Sequence, residues 1–270
     1  MKIQTLTTGT VSIKHSQLEP RHPIFPIQIL RLLHDPNWTV PLPINAFLIE
    51  HPEGPILVDT GDVGGHFPPG IPRRIAKKWV QPNEEIGAQL KARGIAIKDL
   101  TVVLTHLHGD HTGGLPQLEG ARILVAKKEF ANAFSLMGRI SSIPETLPAN
   151  FKPELFEFTS SPIQNFAQSY PLAENIWVIP TPGHTNNHVC VLIKRDDHWI
   201  VIAGDAAYSQ AQMLREDMDG MNMNPRATTA SVRTIKTFCA NNKTIFLPCH
   251  DPESACRLEQ LEFAQMFVPV

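Results

Sequence analysis

Six consecutive residues, His106-Leu107-His108-Gly109-Asp110-His111, constrain this chain more than any other stretch. They follow directly on the apolar run 101–105, Thr-Val-Val-Leu-Thr, which reads as a short buried strand. Packing explains such a cluster poorly. A core would have to satisfy each imidazole separately, and a solvated face has no need of that density. Imidazole nitrogen and carboxylate oxygen are ligands that suit zinc and other borderline divalent ions. Gly109, Gly113 and Gly114 allow the backbone to turn tightly enough for the four side chains to converge. The sequence therefore predicts a metal site on a loop at a strand end, with His106, His108, Asp110 and His111 as ligands.

One loop cannot complete two coordination spheres, so further ligands are expected at other strand ends. His184 lies in the turn sequence Pro180-Thr181-Pro182-Gly183-His184-Thr185, after an apolar run at 176–179. Asp205 closes Ile202-Ala203-Gly204-Asp205, and His250 follows Ile245-Phe246-Leu247-Pro248-Cys249. A lone strand-end His or Asp is more often a cap or a surface group. Three together, each after a buried strand, point to ligation.

Around these positions strands and helices alternate. Strands are expected at the N-terminus and at 44–50, 55–59, 101–105, 123–126, 176–179, 188–193, 199–203 and 244–247. Asn83-Glu84-Glu85 opens a helix that Gly94 ends, Asn224-Pro225 caps one running to about 240, and a last helix is expected from 253 to about 267. Strands in two groups, each followed by helices and without a linker, predict one α/β domain over 1–270, with two mixed sheets face to face and helices outside. Half of the 24 prolines fall between Pro20 and Pro82. Proline fixes φ and removes a donor, so long ordered loops are expected at about 15–43 and 62–82, acting as lids or interfaces.

Composition narrows the function. A formal net charge of −2 and the lack of any Lys/Arg-rich stretch argue against a nucleic acid partner. No apolar run approaches the roughly 18 residues that cross a bilayer, and Met1-Lys2-Ile3-Gln4-Thr5-Leu6 reads as a strand rather than a secretory signal. The four cysteines are scattered without CxxC spacing, as expected of reduced thiols in a cytoplasmic protein.

The HxHxDH run, the later Gly183-His184-Thr185, the Gly204-Asp205 pair and the final His250 resemble the metallo-β-lactamase-fold hydrolases over nearly the whole chain. The resemblance implies an αββα sandwich in which His106, His108 and His184 hold one ion, Asp110, His111 and His250 hold another, and Asp205 bridges them. Asp59, in Leu57-Val58-Asp59-Thr60-Gly61, looks like that fold's early Asp and would support the metal loop. Gly204-Asp205-Ala206-Ala207-Tyr208 is similar to the N-acyl-homoserine lactonases, in which a Tyr three residues past the bridging Asp contacts the substrate carbonyl. The resemblance thus implies a small-molecule lactone substrate and a catalytic pair, Asp110 and Tyr208. It implies two divalent ions, zinc first, with cobalt, manganese and iron accepted by the same ligands. Thioesterases of the same fold, and iron-dependent dioxygenases or redox proteins built on it, remain alternatives. Asn187 and Cys249 depart from the pattern, at places where relatives commonly carry a Gly or another small residue. In the two loops, Phe25, Ile27, Ile29, Leu30, Leu32, Leu33, Trp38, Phe67, Pro68, Pro69 and Ile71 are expected to line an acyl-chain channel, with homodimerisation through part of the same region.

Overall fold

The computed structural model describes residues 1–20, 22, 24–65 and 70–264. Strands β1 (Lys2–Ile13), β2 (Leu42–His51) and β3 (Gly54–Val58) form an antiparallel meander. Strand β4 (Ala76–Trp79) pairs with the outer edge of β1, and β5 (Thr101–Val103), β6 (Arg122–Ala126) and β7 (Glu154–Phe156) continue from β3 in parallel. This seven-stranded sheet has the order β4-β1-β2-β3-β5-β6-β7. A five-stranded sheet is built from β8 (Tyr170–Ala173), β9 (Ile176–Pro180), β10 (Val189–Lys194), β11 (Trp199–Gly204) and β12 (Thr244–Pro248), in the order β12-β11-β10-β9-β8. Only β11 and β12 run parallel in it, so both sheets are mixed.

The helices are α1 (Phe25–His34), α2 (Pro72–Ile75), α3 (Ile86–Ala92), α4 (Gly109–Thr112), α5 (Lys127–Ala133), α6 (Leu136–Ile140), α7 (Ile143–Thr146), α8 (Gln210–Arg215), α9 (Pro225–Asn241) and α10 (Ser254–Glu259). Period-two alternation decides what each strand buries. Val189, Val191 and Ile193 of β10 point between the sheets and pack with Ile200, Ile202, Ile245 and Leu247, against Phe47, Ile49, Ile56, Val58, Val103 and Leu124 of the other sheet. The alternate residues Cys190 and Leu192 face outward, under Val232, Ile235 and Phe238 of α9. On the far side Leu48, Leu57, Val102 and Val125 are covered by Ile86 and Leu90 of α3. The result is the expected αββα sandwich.

Several expectations need correction. The 15–43 segment is not only loop, because α1 occupies its middle. Pro26 lies in the first turn of α1, where no intrahelical N–H is required, so it admits a helix instead of breaking one. Helix α3 starts after Glu85, whose side chain makes no cap bond and instead accepts from Gly64 N–H at 3.0 Å. Strand β5 stops at Val103, because Leu104 N–H turns to Leu124 O and Thr105 N–H to Asp59. The last helix ends at Glu259, with Leu261 at φ +53°, and Ala264 N–H returns to Thr244 O at 2.8 Å. The remainder of that expected helix, 265–267, lies outside the described residues. Strands β4, β7 and β8 were not expected from the sequence. β4 is Ala-Lys-Lys-Trp, β7 has three residues, and β8 carries Pro171 at the edge of its sheet.

Candidate metal centre

The predicted ligands follow strand ends at one rim of the sandwich. Register brings them together: Val58 lies opposite Val103 in β3 and β5, and Gly204 opposite Pro248 in β11 and β12. The residues just beyond those pairs, Asp59 with Thr105 and Asp205 with Cys249-His250, are therefore neighbours. Two backbone bonds lock the sheets to each other at this rim. Val189 N–H donates to Thr105 O at 3.0 Å, and Asn45 N–H to Cys249 O at 3.1 Å.

Two groups of side chains result, one of His106, His108 and His184, the other of His111, Asp205, Cys249 and His250. In the first, His108 Nδ1 lies 3.0 Å from both His106 Nε2 and His184 Nε2. A ring nitrogen carries one hydrogen or one lone pair, so His108 cannot pair properly with both neighbours. Three nitrogens converging in this way fit a cation that accepts a lone pair from each. In the second group, His111 Nε2 and Asp205 Oδ1 are buried without a hydrogen-bond partner among the described residues, 3.4 Å apart. His250 Nε2 stands 3.4 Å from the same Asp205 oxygen and 3.3 Å from Asp110 Oδ2. Leaving such atoms unpaired costs roughly 1–3 kcal/mol each, and a divalent ion would relieve both. Asp205 turns its other oxygen, Oδ2, toward His184 Nε2 at 3.4 Å, so one carboxylate faces both groups.

The ring nitrogens turned away from the site are held by the chain. His111 Nδ1–H donates to Asp59 Oδ2 at 2.8 Å, and His250 Nδ1–H to Pro43 O at 2.8 Å. Both bonds leave Nε2 as the lone-pair atom. Asp59 also accepts from Thr105 N–H and Thr105 Oγ1, each at 2.8 Å, and holds φ at +61° to do so. That left-handed backbone is uncommon outside glycine and costs on the order of 1–3 kcal/mol, offset by the three hydrogen bonds. The expected support role of Asp59 is met in full geometry.

Electrostatics divide the histidines, though not by group, since His184, despite its burial, is raised by Asp219 and Asp205. Burial, reinforced by the neighbouring imidazoles, pushes His108 down to about 3 and His106 well below its ordinary range. This keeps both rings neutral, as metal ligands must be. Burial also disfavours charge on His111 and His250, but the surrounding acidic groups, Asp205 foremost, together outweigh it and hold both well above the usual value. Asp205 is held well below the carboxylate range by those same histidines, against its burial.

Three residues at the site were not singled out from sequence. His188 is fully buried; its Nε2 accepts from Asp205 N–H at 3.1 Å, while Nδ1 faces Thr181 Oγ1 at 2.9 Å. Glu129 accepts from Thr185 Oγ1 at 2.9 Å and from the N–H groups of Leu107 and Asn187, beside two ligand loops. Burial pushes Glu129 up to about 7. Asp219 lies 3.7 Å from His184 Nδ1. A buried acid on a helix or loop has no signal in a single sequence. Cys249 does not reach solvent, and its thiol donates to Asn45 O at 2.9 Å.

The site opens into a cleft of about 1270 Å³, solvent at its mouth included. Asp110 is the more exposed carboxylate, 27% open to solvent, and lies on the cleft wall with His108, His184, Asp205, Tyr208 and His250. The Tyr208 ring sits 5.9 Å from the His184 ring and 5.5 Å from the His250 ring, centroid to centroid, so it spans the two groups. Of the expected channel residues, Ile29, Leu32 and Ile71 line the cleft, joined by Val11, Ile13 and Ile75. Ile27 and Leu30 point outward instead, because a helix can turn only one face to the cleft. Trp38 is not in the lining, and takes up Lys14 and Lys77 against its ring at 3.8 and 4.0 Å. Phe67, Pro68, Pro69 and the Phe25 side chain lie outside the described part of the structure.

The chain is similar to known proteins over most of its length. An N-acyl homoserine lactonase of Bacillus thuringiensis is 24% identical over 237 residues, covering 83% of this chain and 88% of the relative. The N-acyl homoserine lactonase AttM of Azorhizobium caulinodans is 25% identical over 230 residues, 79% of this chain and 83% of the relative. A solved N-acyl homoserine lactone hydrolase, with the product N-hexanoyl-L-homoserine at its catalytic metal centre, superposes with a TM-score of 0.74 at 23% identity, covering 93% of this chain and 94% of that one. Residues 39–237 match the metallo-beta-lactamase superfamily. A match over so much of the sequence, on a chain with this fold, makes it a member of the metallo-beta-lactamase superfamily.

Proposed function

We propose that this protein is a dinuclear metal hydrolase that opens the ester ring of lactones, N-acyl-homoserine lactones first among them. The observation that carries the reading is Tyr208, which stands between two converging ligand groups on the wall of an apolar cleft. His106, His108 and His184 would hold one ion, and Asp110, His111 and His250 the other. Asp205 would serve both, since its two oxygens face opposite groups. When bound, the ions supply Lewis acidity and lower the pKa of a water toward neutrality.

The chain's own residues then divide the work. The Tyr208 hydroxyl donates to the substrate carbonyl oxygen as negative charge develops there. Burial holds that phenol well above its usual pKa, with the nearby carboxylates adding to the shift, so it stays a donor. Asp110 accepts the proton of the attacking water and returns it to the leaving alkoxide oxygen, giving the ring-opened hydroxy acid. Ile29, Leu32, Val11 and Ile75 take the acyl chain and exclude water beside it.

Cleft chemistry supports an ester over a glutathione thioester. Among the described lining residues the one lysine or arginine is Lys78, and both oxygens of Asp62 receive its ammonium at 2.6 Å. Zinc suits the nitrogen and oxygen ligands, and cobalt, manganese and iron are the alternatives that elemental analysis would separate. The relatives' activity, the free thiols and the outward face of Ile24, Ile27 and Leu30 further support quorum quenching, a cytoplasmic location and a homodimer as parts of one reading. No described helix is long and apolar enough to cross a membrane.

The test is ring opening of short- and long-chain N-acyl-homoserine lactones by zinc-loaded protein, with chelated protein as blank. Metal-dependent turnover with kcat/KM above roughly 10⁴ M⁻¹s⁻¹ is expected. No turnover with two ions bound per chain would move the reading to another ester or thioester, while oxygen consumption by iron-loaded protein would move it to a dioxygenase.

A further inference from the structure

His184 differs from the other ligand candidates in how its outer nitrogen is treated. Asp59 holds His111, and a backbone carbonyl holds His250, at hydrogen-bond length. His184 Nδ1 is buried without a hydrogen-bond partner among the described residues, and the group facing it is the Asp219 carboxylate, at the ion-pair distance of 3.7 Å. Asp219 is itself 2% exposed, an expensive place for a carboxylate that only caps a turn. It does cap one, since Met221 N–H donates to Asp219 Oδ1 at 2.7 Å.

The segment that carries Asp219 clasps His184 from a second side. Met223 N–H reaches Gly183 O at 2.8 Å and His184 O at 3.1 Å, and Asn224 N–H reaches Gly183 O at 3.0 Å. Its other flank is fastened to the first lid. Gly220 N–H donates to Gln17 O at 2.7 Å, and Gly220 O accepts from Gln28 Nε2 of α1 at 2.9 Å. Any side chain at Gly220 would collide with Ser16 O, 2.4 Å from where its Cβ would stand. One short strap thus joins the lid that walls the cleft to the outer face of a ligand.

We propose that Asp219 is a positioning residue for the three-histidine ion: it fixes the proton of His184 on Nδ1 and so presents Nε2 as a lone pair to the site. The inference rests on the reading of His184 as a ligand. Asp219→Asn isolates the role. Met221 N–H and His184 Nδ1 both meet Oδ1. An amide that keeps its oxygen there retains the turn but loses the negative charge that holds the proton on Nδ1. One that turns its NH₂ there favours the wrong tautomer, with the proton on Nε2.

The experiment loads wild-type and Asp219→Asn protein with two equivalents of cobalt(II) and follows release of each ion to a competing chelator, with the cobalt absorption spectrum recorded throughout. One ion in the variant should be held about 10- to 100-fold more weakly, with an altered spectrum for that ion only. The other should stay within about twofold of wild type. Retention of both ions as in wild type would overturn the proposal. So would equal weakening of both, which is what loss of a merely structural turn produces. If the variant does not fold, the wild-type zinc protein decides by NMR of its ¹⁵N-labelled histidines. A downfield His184 Nδ1 proton, slow to exchange with water, is expected, and a freely exchanging one would overturn the role. Failure of the wild-type protein to take up any metal is a different result, and it would overturn the metal reading itself together with this inference.

Discussion

Asp205 N–H donates to Nε2 of His188 at 3.1 Å, which makes a buried imidazole that ligates nothing the anchor of the carboxylate that faces both ligand groups. The same ring reaches Thr181 Oγ1, which contacts Cys190 Sγ at 3.1 Å, and Cys190 in turn donates to Ala203 O at 3.3 Å. Gly204, at φ +50°, leaves no room for a side chain between His188 and Thr105. Removal of the ring leaves the Asp205 N–H buried and unpaired. His188→Ala should cost about 1–3 kcal/mol of stability and lower the metal bound per chain, read by thermal unfolding and elemental analysis. Unchanged metal content would mean that Asp205 is held without it.

Tyr208→Phe removes one hydroxyl from the cleft and no ligand. It should lower kcat by about 10- to 100-fold at unchanged metal content. Steady-state kinetics on a short-chain N-acyl-homoserine lactone give the answer, and an unaltered kcat would take Tyr208 out of the reaction.

Asp59→Asn tests the support of His111. The amide oxygen can keep the bond from Thr105 N–H, but the group facing His111 Nδ1–H becomes a donor. Affinity for one ion should fall about 10- to 100-fold, measured by chelator competition, and the ion on the three histidines should be the one retained.

Much of this was legible because metal ligands are dense, rare and placed at strand ends. All eight proposed site residues come together at one rim, and Asp59 lies behind them as expected. The parts that were not legible depend on distance in space. His188 stood in a strand pattern and read as its first residue. Glu129 sat in Lys-Lys-Glu-Phe, which reads as a solvated helix start, and only the fold carries it under Leu107 and Thr185. Helix α1 was masked by its flanking prolines, which argue for loop unless Pro26 is seen to fall in the first turn. Ile27 and Leu30 were grouped with Ile29 and Leu32 because composition cannot tell one helix face from the other until the helix is assigned.

Glu129 gives a pH signature. Burial raises its pKa in the fold from 4.5 to about 7. Below 4.5 it is protonated in both states. Between 4.5 and 7 the unfolded chain releases its proton first, so this group lowers stability as pH rises, and its contribution levels off above 7. Glu129→Gln removes that titration. The stability of wild type relative to the variant should fall by about 3 kcal/mol across the window at saturating metal, as measured by denaturant titrations at stepped pH. A flat difference would show Glu129 ionised throughout.

Leu32 is fully buried on α1 and lines the cleft. Leu32→Trp should fill part of the wall and lower kcat/KM for a long-chain lactone about 10-fold, leaving a short-chain one within about twofold. Equal loss on both would place the acyl chain elsewhere.

The proposed ligands come from segments 106–111, 184, 205 and 250, whereas the apolar wall of the cleft comes from β1, α1, α2 and α6. The two parts occupy separate stretches of the gene. Mutation can therefore redraw what enters the cleft while the loops that carry the proposed ligands stay as they are, and on the proposed function an acquired taste for a different ester requires no new chemistry. A chain built in this way is a ready starting point for divergence, and for engineering by substitution at single wall positions of β1, α1, α2 and α6.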